Sequence, residues 1–177
     1  MNLEEKRLSR ETVYKGAIFY VEKRMVRLPN GKEARRDIVV NPNATAIVAL
    51  DDEDRVIMVK QYRESAGRVM LEIPAGKMDE GEDPETCASR ELREETGYTA
   101  KSLKRLFASR VSPGFSSEII YTYLAEGLEL GDTDPDEDEF VETLKMPLGE
   151  VVDMILRGEI EDGKTIAGIL AVNQLKA

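Results

Sequence analysis

The sequence predicts an α/β fold, with helices packed on a mixed sheet. Short runs rich in β-branched and aromatic residues recur between residues 20 and 75 and again at 118–126. Runs with helical spacing fall between these strands and after them. Strands mixed with helices, some of them adjacent in sequence, fit helix layers on a sheet. The length of 177 residues suits one domain, or one domain with a small appendage.

In chain order, "YVEKRMVRLPNGKEARRDIVV" reads as a β-hairpin, because alternating residues flank Pro29-Asn30-Gly31 and Asn-Gly is a strong hairpin turn. "ATAIVAL" (44–50) suits a buried strand, and 51–54 is a polar turn. Strands follow at 55–63 and 69–75, then at 118–126. Between them, Asp83 predicts an N-cap, with Pro84 at the first helical position and Gly97 at the closing cap. Two more helices are expected. The run 147–159 spaces Val151, Val152, Ile155 and Leu156 on one face; 164–177 does so with Ile166, Ile169, Leu170 and Leu175. An acidic loop, "GDTDPDEDEF", precedes them.

Composition narrows the chemistry. Hydrophobic residues make up 41% and charged residues 34%, a globular rather than disordered profile. A formal net charge of -10 argues against a nucleic-acid-binding surface, which needs clustered Lys and Arg. It leaves room for a small anionic ligand, since local arginines or a metal reverse the field of one cleft. A single cysteine, Cys87, rules out an internal disulfide and points to a reducing, cytoplasmic setting. The N-terminus is too polar for a signal peptide, and no apolar run spans a bilayer, so no membrane partner is expected. There is no histidine. Catalysis therefore rests on carboxylates, metals, Lys, Arg, Tyr or backbone.

The densest run of acids is "GKMDEGEDPETCASRELREETGY", residues 76–98. On a helix at about 100° per residue, Glu91, Glu94 and Glu95 fall within one arc of about 100°. Their i, i+3, i+4 spacing makes them neighbours whose charges repel. One reading is a solvated face paired with Arg90 and Arg93. The other is a hard divalent cation, which prefers oxygen ligands and offsets the repulsion.

The full spacing favours the second. Gly76, Glu82, Arg90-Glu91-Leu92, Glu94-Glu95 and Gly97-Tyr98 match G-x5-E-x7-R-E-U-x-E-E-x-G-U, with U a bulky apolar residue. The chain thus resembles the Nudix hydrolases, with Tyr98 a mild departure from an aliphatic residue. Pro113, sixteen residues after Gly97, "VKQYRE", "LEIPAGK" and "DEDEF" resemble the ADP-ribose pyrophosphatase subgroup.

The resemblance implies a Nudix α/β/α sandwich with an N-terminal β-hairpin extension at 1–41 and a Nudix domain at 42–177. It implies Mg²⁺-dependent hydrolysis of ADP-ribose to AMP and ribose 5-phosphate, with Mn²⁺ a possible substitute ion. Another nucleoside diphosphate sugar, such as GDP-mannose or ADP-glucose, and a non-catalytic ADP-ribose sensor are the alternatives. Glu91 and Glu95 are implied as the main metal ligands, with the Ala75 carbonyl contributing and Glu94 close by. Glu82 and Arg90 would brace the loop. Arg63 resembles a phosphate contact, the alternative being an arginine paired with an acid. Arg36 or its neighbour Arg35 resembles a second phosphate contact. Alternation puts the two on opposite faces, and Arg36 is preferred. Pro113, the subgroup marker, would belong to the substrate-binding residues, and Glu118 would border the terminal ribose, although Glu118 also fits a plain strand start. Glu137 or Glu139 would act as general base or position the water. Relatives often carry His-Pro-Gly where this chain has Asn41-Pro42-Asn43, and Asn is expected to keep the turn through left-handed backbone. Cys87 reads as a packed small residue, since no base is at hand to activate it. A homodimer is expected, with Tyr14, Phe19 and Tyr20 as candidate surfaces for dimer packing or base stacking.

Overall fold

The computed structural model describes residues 2–131 and 140–177. The chain divides into two compact units. One comprises Met1–Asn43 with Arg110–Ile119; the other comprises Ala44–Ser109 with Ile120–Ala177.

The N-terminal unit is a three-stranded antiparallel sheet of β1 (Lys6–Lys15), β2 (Tyr20–Arg27) and β3 (Glu33–Val40). The predicted hairpin forms β2 and β3, in register from Tyr20↔Val40 to Arg27↔Glu33. Gly31 closes it at φ 82°, with Leu28 and Lys32 bonded across the turn. The strand β1 was not anticipated. Its sequence is polar and every residue of it is exposed, so burial left no periodic pattern to read. Segment 110–119 docks on β3, where Val39 N–H donates to Phe115 O at 2.7 Å and Ser117 N–H donates to Val39 O at 3.0 Å.

The larger unit is built on a mixed sheet ordered β10-β5-β4-β9-β8, with β6 on β5 and β7 on β4. Its strands are β4 (Ala44–Leu50), β5 (Arg55–Arg63), β6 (Arg68–Glu72), β7 (Ala75–Lys77), β8 (Tyr98–Arg110), β9 (Ile119–Leu130) and β10 (Glu142–Pro147). Strands β4 and β9 run parallel. Every residue of β4 is buried because both faces are covered. Ile47 and Ala49 pack with Ala88 and Leu92 of α1 (Pro84–Thr96). Ala46, Val48 and Leu50 pack in a second cluster with Val151 of α2 (Leu148–Leu156) and with Ile169 and Val172 of α3 (Gly163–Lys176). This is an α/β/α sandwich, as expected.

Several expectations need correction. The single strand at 69–75 is two, because the chain leaves β5 after Glu72 and joins β4 at Ala75. Pro74, which has no N–H for a ladder, sits at the crossing and gives its carbonyl to Ile47 N–H at 2.8 Å. Strands β8 and β10 were missed; their frequent Lys, Arg and Glu hide the alternation. Leu156, Leu170 and Leu175 were placed on core faces but are 74%, 37% and 62% exposed. In α3 the buried face is Thr165, Gly168, Ile169 and Val172. Gly168 is needed there, since a Cβ would stand 2.9 Å from Val48. Neither Asn41 nor Asn43 is left-handed. The turn is held instead by Asn43 Oδ1, which accepts from Ile119 N–H, and by Asn41 N–H, which donates to Ser117 Oγ.

Candidate metal and phosphate site

Helix α1 carries the acidic face. Asp83 caps it by accepting from the N–H groups of Glu85 and Thr86 at 3.0 and 3.2 Å. Pro84 opens it, and Gly97 ends it at φ 75°. Ala88 and Leu92, beside that face, anchor α1 in the core, which fixes the rotation of the helix. Glu91 and Glu95 are 9% and 6% exposed, far too buried for a solvated surface.

Both carboxylates lie along the β7 backbone. Glu95 Oε2 accepts from Ala75 N–H at 3.0 Å. The Glu91 carboxyl occupies the space a side chain would fill at Gly76, where a Cβ would come within 2.0 Å of Glu91 Cδ. A side chain at this position would therefore displace the Glu91 carboxyl.

Arg90 organises the other side. Its Nη1 donates to Glu91 Oε1 at 2.8 Å and to Glu94 Oε2 at 2.9 Å. Its Nε and Nη2 form a fork on Glu82, each at 3.0 Å, and Nη2 also reaches the Lys77 carbonyl. Glu82 in turn accepts from Asp79 N–H, so the loop before α1 is tied at both ends. The Arg90 fork, with that backbone bond, brings the Glu82 carboxyl down to about 2. Arg90 itself is held charged, first by Glu82. Cys87 is fully buried under this network, bonded to Thr45 Oγ1 at 3.2 Å. Burial pushes its thiol up to about 12, which leaves no thiolate to react.

Among the described residues, no three acidic or thiol groups converge closely enough to hold a metal ion. The reason is visible in the bonds. A guanidinium nitrogen already bridges Glu91 and Glu94, and Glu95 is turned to the Ala75 amide. The chemistry of the donor set still fits a hard divalent cation: carboxylates from successive turns beside backbone carbonyls, with no nitrogen or sulfur ligand required.

Arg63, at the end of β5, donates from Nε and Nη2 to Glu72 at 2.8 and 2.9 Å. The acid-paired arrangement weighed from the sequence is thus present in the structure. Glu72 and Lys164 were not singled out by sequence reasoning. The signal was a lone carboxylate inside the apolar run "VMLEIPA", which demands a buried partner.

In the N-terminal unit, alternation separates Arg35 and Arg36 as expected. Arg35 is exposed and pairs with Asp37 at 2.7 Å. Arg36 is half-buried, pairs with Glu5, and lines a hollow of about 330 Å³ with Arg7, Arg24, Ile38 and Pro113. Arg7 and Arg24 had not been picked out; only the three-stranded sheet brings them beside Arg36. Glu118 is half-buried, and its N–H donates to Ser116 Oγ. Tyr14 and Phe19 form a tilted ring pair, centroids 5.8 Å apart, and are 55% and 39% exposed, while Tyr20 is half-buried. Glu137 and Glu139 lie outside the described residues.

Tyr98, the departure at the last motif position, is 9% exposed in the α1 core cluster, with Lys145 Nζ 5.1 Å from its ring centroid. An aromatic ring serves there as an aliphatic side chain would. No helix of the described residues is long and apolar enough to cross a membrane.

Comparison with known proteins finds relatives along nearly the whole chain. An ADP-ribose pyrophosphatase of Bacillus subtilis (strain 168) is 44% identical over 170 residues, covering 95% of this chain and 92% of the relative. A methanol dehydrogenase activator of Bacillus methanolicus is 40% identical over 168 residues, covering 94% and 91%. A solved structure of an ADP compounds hydrolase shares the fold, with a TM-score of 0.88 over 99% of this chain and 96% of that one, at 24% identity. The model of the NUDIX domain matches residues 40–168, and with the box intact on α1 the chain belongs to the Nudix family.

Proposed function

We propose that this Nudix pyrophosphohydrolase splits the pyrophosphate of ADP-ribose into AMP and ribose 5-phosphate, using Mg²⁺, with Mn²⁺ as a possible substitute. The observation that carries the reading is the pair of buried carboxylates, Glu91 and Glu95, laid along the Ala75–Gly76 backbone. The 44% identical relative supports the substrate.

Glu91 and Glu95 hold the metal, with the Ala75 carbonyl contributing and Glu94 beside them. A bound divalent ion neutralises the pyrophosphate and lowers the pKa of the attacking water. Arg90 and Glu82 keep the loop and the helix in register. In the larger unit, Arg63 meets a substrate phosphate. In the N-terminal unit, Arg36 meets a phosphate, Pro113 contributes to substrate binding, and Glu118 borders the ribose. Glu137 or Glu139 takes the proton of the water or positions it. The enzyme works in the cytoplasm as a homodimer, with Tyr14, Phe19 and Tyr20 at the dimer surface or against the adenine. A second reading, activation of a partner enzyme, has only the 40% identical methanol dehydrogenase activator behind it.

The direct test is Glu95→Gln. Turnover of ADP-ribose should fall by about a hundredfold or more while the melting temperature is kept. Turnover like the unsubstituted chain would remove Glu95 from the metal site.

A further inference from the structure

Glu72 ends β6 with 2% of its surface exposed. One buried carboxylate needs one cation to balance it, yet two reach it. Arg63 forks onto it from one side, and Lys164 Nζ bonds Glu72 Oε2 from the other. The two cations differ in setting. The Lys164 side chain is 12% exposed and belongs to the interior, whereas Arg63 is 38% exposed.

Lys164 is itself held. Its Nζ bonds Asp162 Oδ2 at 3.0 Å. Asp162 caps α3 by accepting from Thr165 N–H at 3.0 Å and from the Thr165 hydroxyl at 2.6 Å. That hydroxyl accepts from Ile73 N–H at 2.9 Å, closing the loop back onto the chain beside Glu72. Lys164 is thus a fixed peg behind Glu72. Burial pushes the Glu72 carboxyl up, but Arg63 and Lys164 outweigh it and bring it down to about 2, so it is fully ionised at neutral pH.

A carboxylate fixed from behind sets the plane of the guanidinium in front of it. Arg63 uses Nε and Nη2 on Glu72, and among the described residues Nη1 has no hydrogen-bond partner. The charge of Glu95 also bears on the Arg63 guanidinium. A fork pinned on one edge and open on the other is a preorganised receptor for an anionic oxygen.

We propose that Lys164 is a positioning residue for phosphate binding: it holds Glu72 in place so that Arg63 keeps its open edge toward the substrate. The proposal rests on the phosphate role given to Arg63 above. Arg63, Glu72, Lys164 and Asp162 together are neutral. Without Lys164 the group carries one negative charge, and Glu72 is free to rotate. Both changes weaken the hold on a phosphate.

The experiment is a double-mutant cycle, read by ADP-ribose kinetics and by the Kd of the non-hydrolysable α,β-methylene ADP-ribose. Lys164→Met should raise KM and Kd about tenfold, with kcat within about twofold. Lys164→Arg should recover part of the loss. In an Arg63→Ala chain, Lys164→Met should change Kd no further. An unchanged Kd in K164M overturns the proposal, and so does the same loss with and without Arg63. Lys164→Gln, which keeps a donor for Glu72, carries the same cycle should K164M not fold. If the unsubstituted chain binds the analogue but does not turn ADP-ribose over, the hydrolase reading fails while the cycle still reads Lys164. Failure of the unsubstituted chain to bind the analogue overturns both.

Discussion

Gly76 does its work by what it lacks. The Glu91 carboxyl occupies the volume where a Cβ would stand. The obstacle is the far end of a flexible side chain, so Gly76→Ala displaces Glu91 more readily than it disturbs the backbone. Turnover should drop by about a hundredfold. The melting temperature should fall by no more than about 4 °C, the equivalent of about 1 kcal/mol. Kinetics and a thermal melt of one variant check both halves, and a fall in stability without a fall in turnover would contradict the role of Glu91. At this scale the sequence was most legible. The spacing of Glu82, Arg90, Glu91, Glu94 and Glu95 is written in consecutive turns of one helix and the loop before it, and the network follows it. The Glu72 cluster was not legible, because Glu72 and Lys164 lie 92 residues apart and only the fold joins them.

Between elements, Glu72 links β6 to β5 through Arg63 and to α3 through Lys164. Removing one partner of a buried ion pair costs about 3 kcal/mol. Glu72→Gln should therefore destabilise the protein by about that amount at neutral pH. The carboxyl titrates at about 2 in the folded chain, below the ordinary glutamate value of 4.5. Its stabilisation is thus fully present above about 4.5 and is lost as pH falls through about 2. Melts of the two proteins across this range should converge toward the acid end. A gap that stays constant would show that the carboxylate charge contributes nothing. The elements themselves were read well where a pattern was unmixed. Helix α1 runs between the expected caps, and β4 has the expected bounds. The errors came where context overrode pattern: β1 is exposed along its whole length, and Pro74 divides one apolar run between two neighbours.

For the whole molecule, β1 and the Tyr14–Phe19 pair leave Leu8, Val13, Tyr14 and Ile18 exposed. The homodimer proposed above gives these side chains a cover, and light scattering should return the mass of two chains. A mass of one chain would remove the dimer. The sequence could nominate the aromatic residues but not say what they touch, since a partner surface leaves no periodicity in the chain that meets it.

In the proposed function the crowded glutamates of α1 serve the hydrolysis of one class of pyrophosphate. The decisive measurement is AMP release from ADP-ribose with Mg²⁺, beside GDP-mannose, ADP-glucose and NADH under identical conditions. ADP-ribose should be turned over well ahead of the others, and EDTA should abolish the activity. A different preferred substrate would keep the metal chemistry and contradict the substrate. Full activity in EDTA would contradict the proposed function itself.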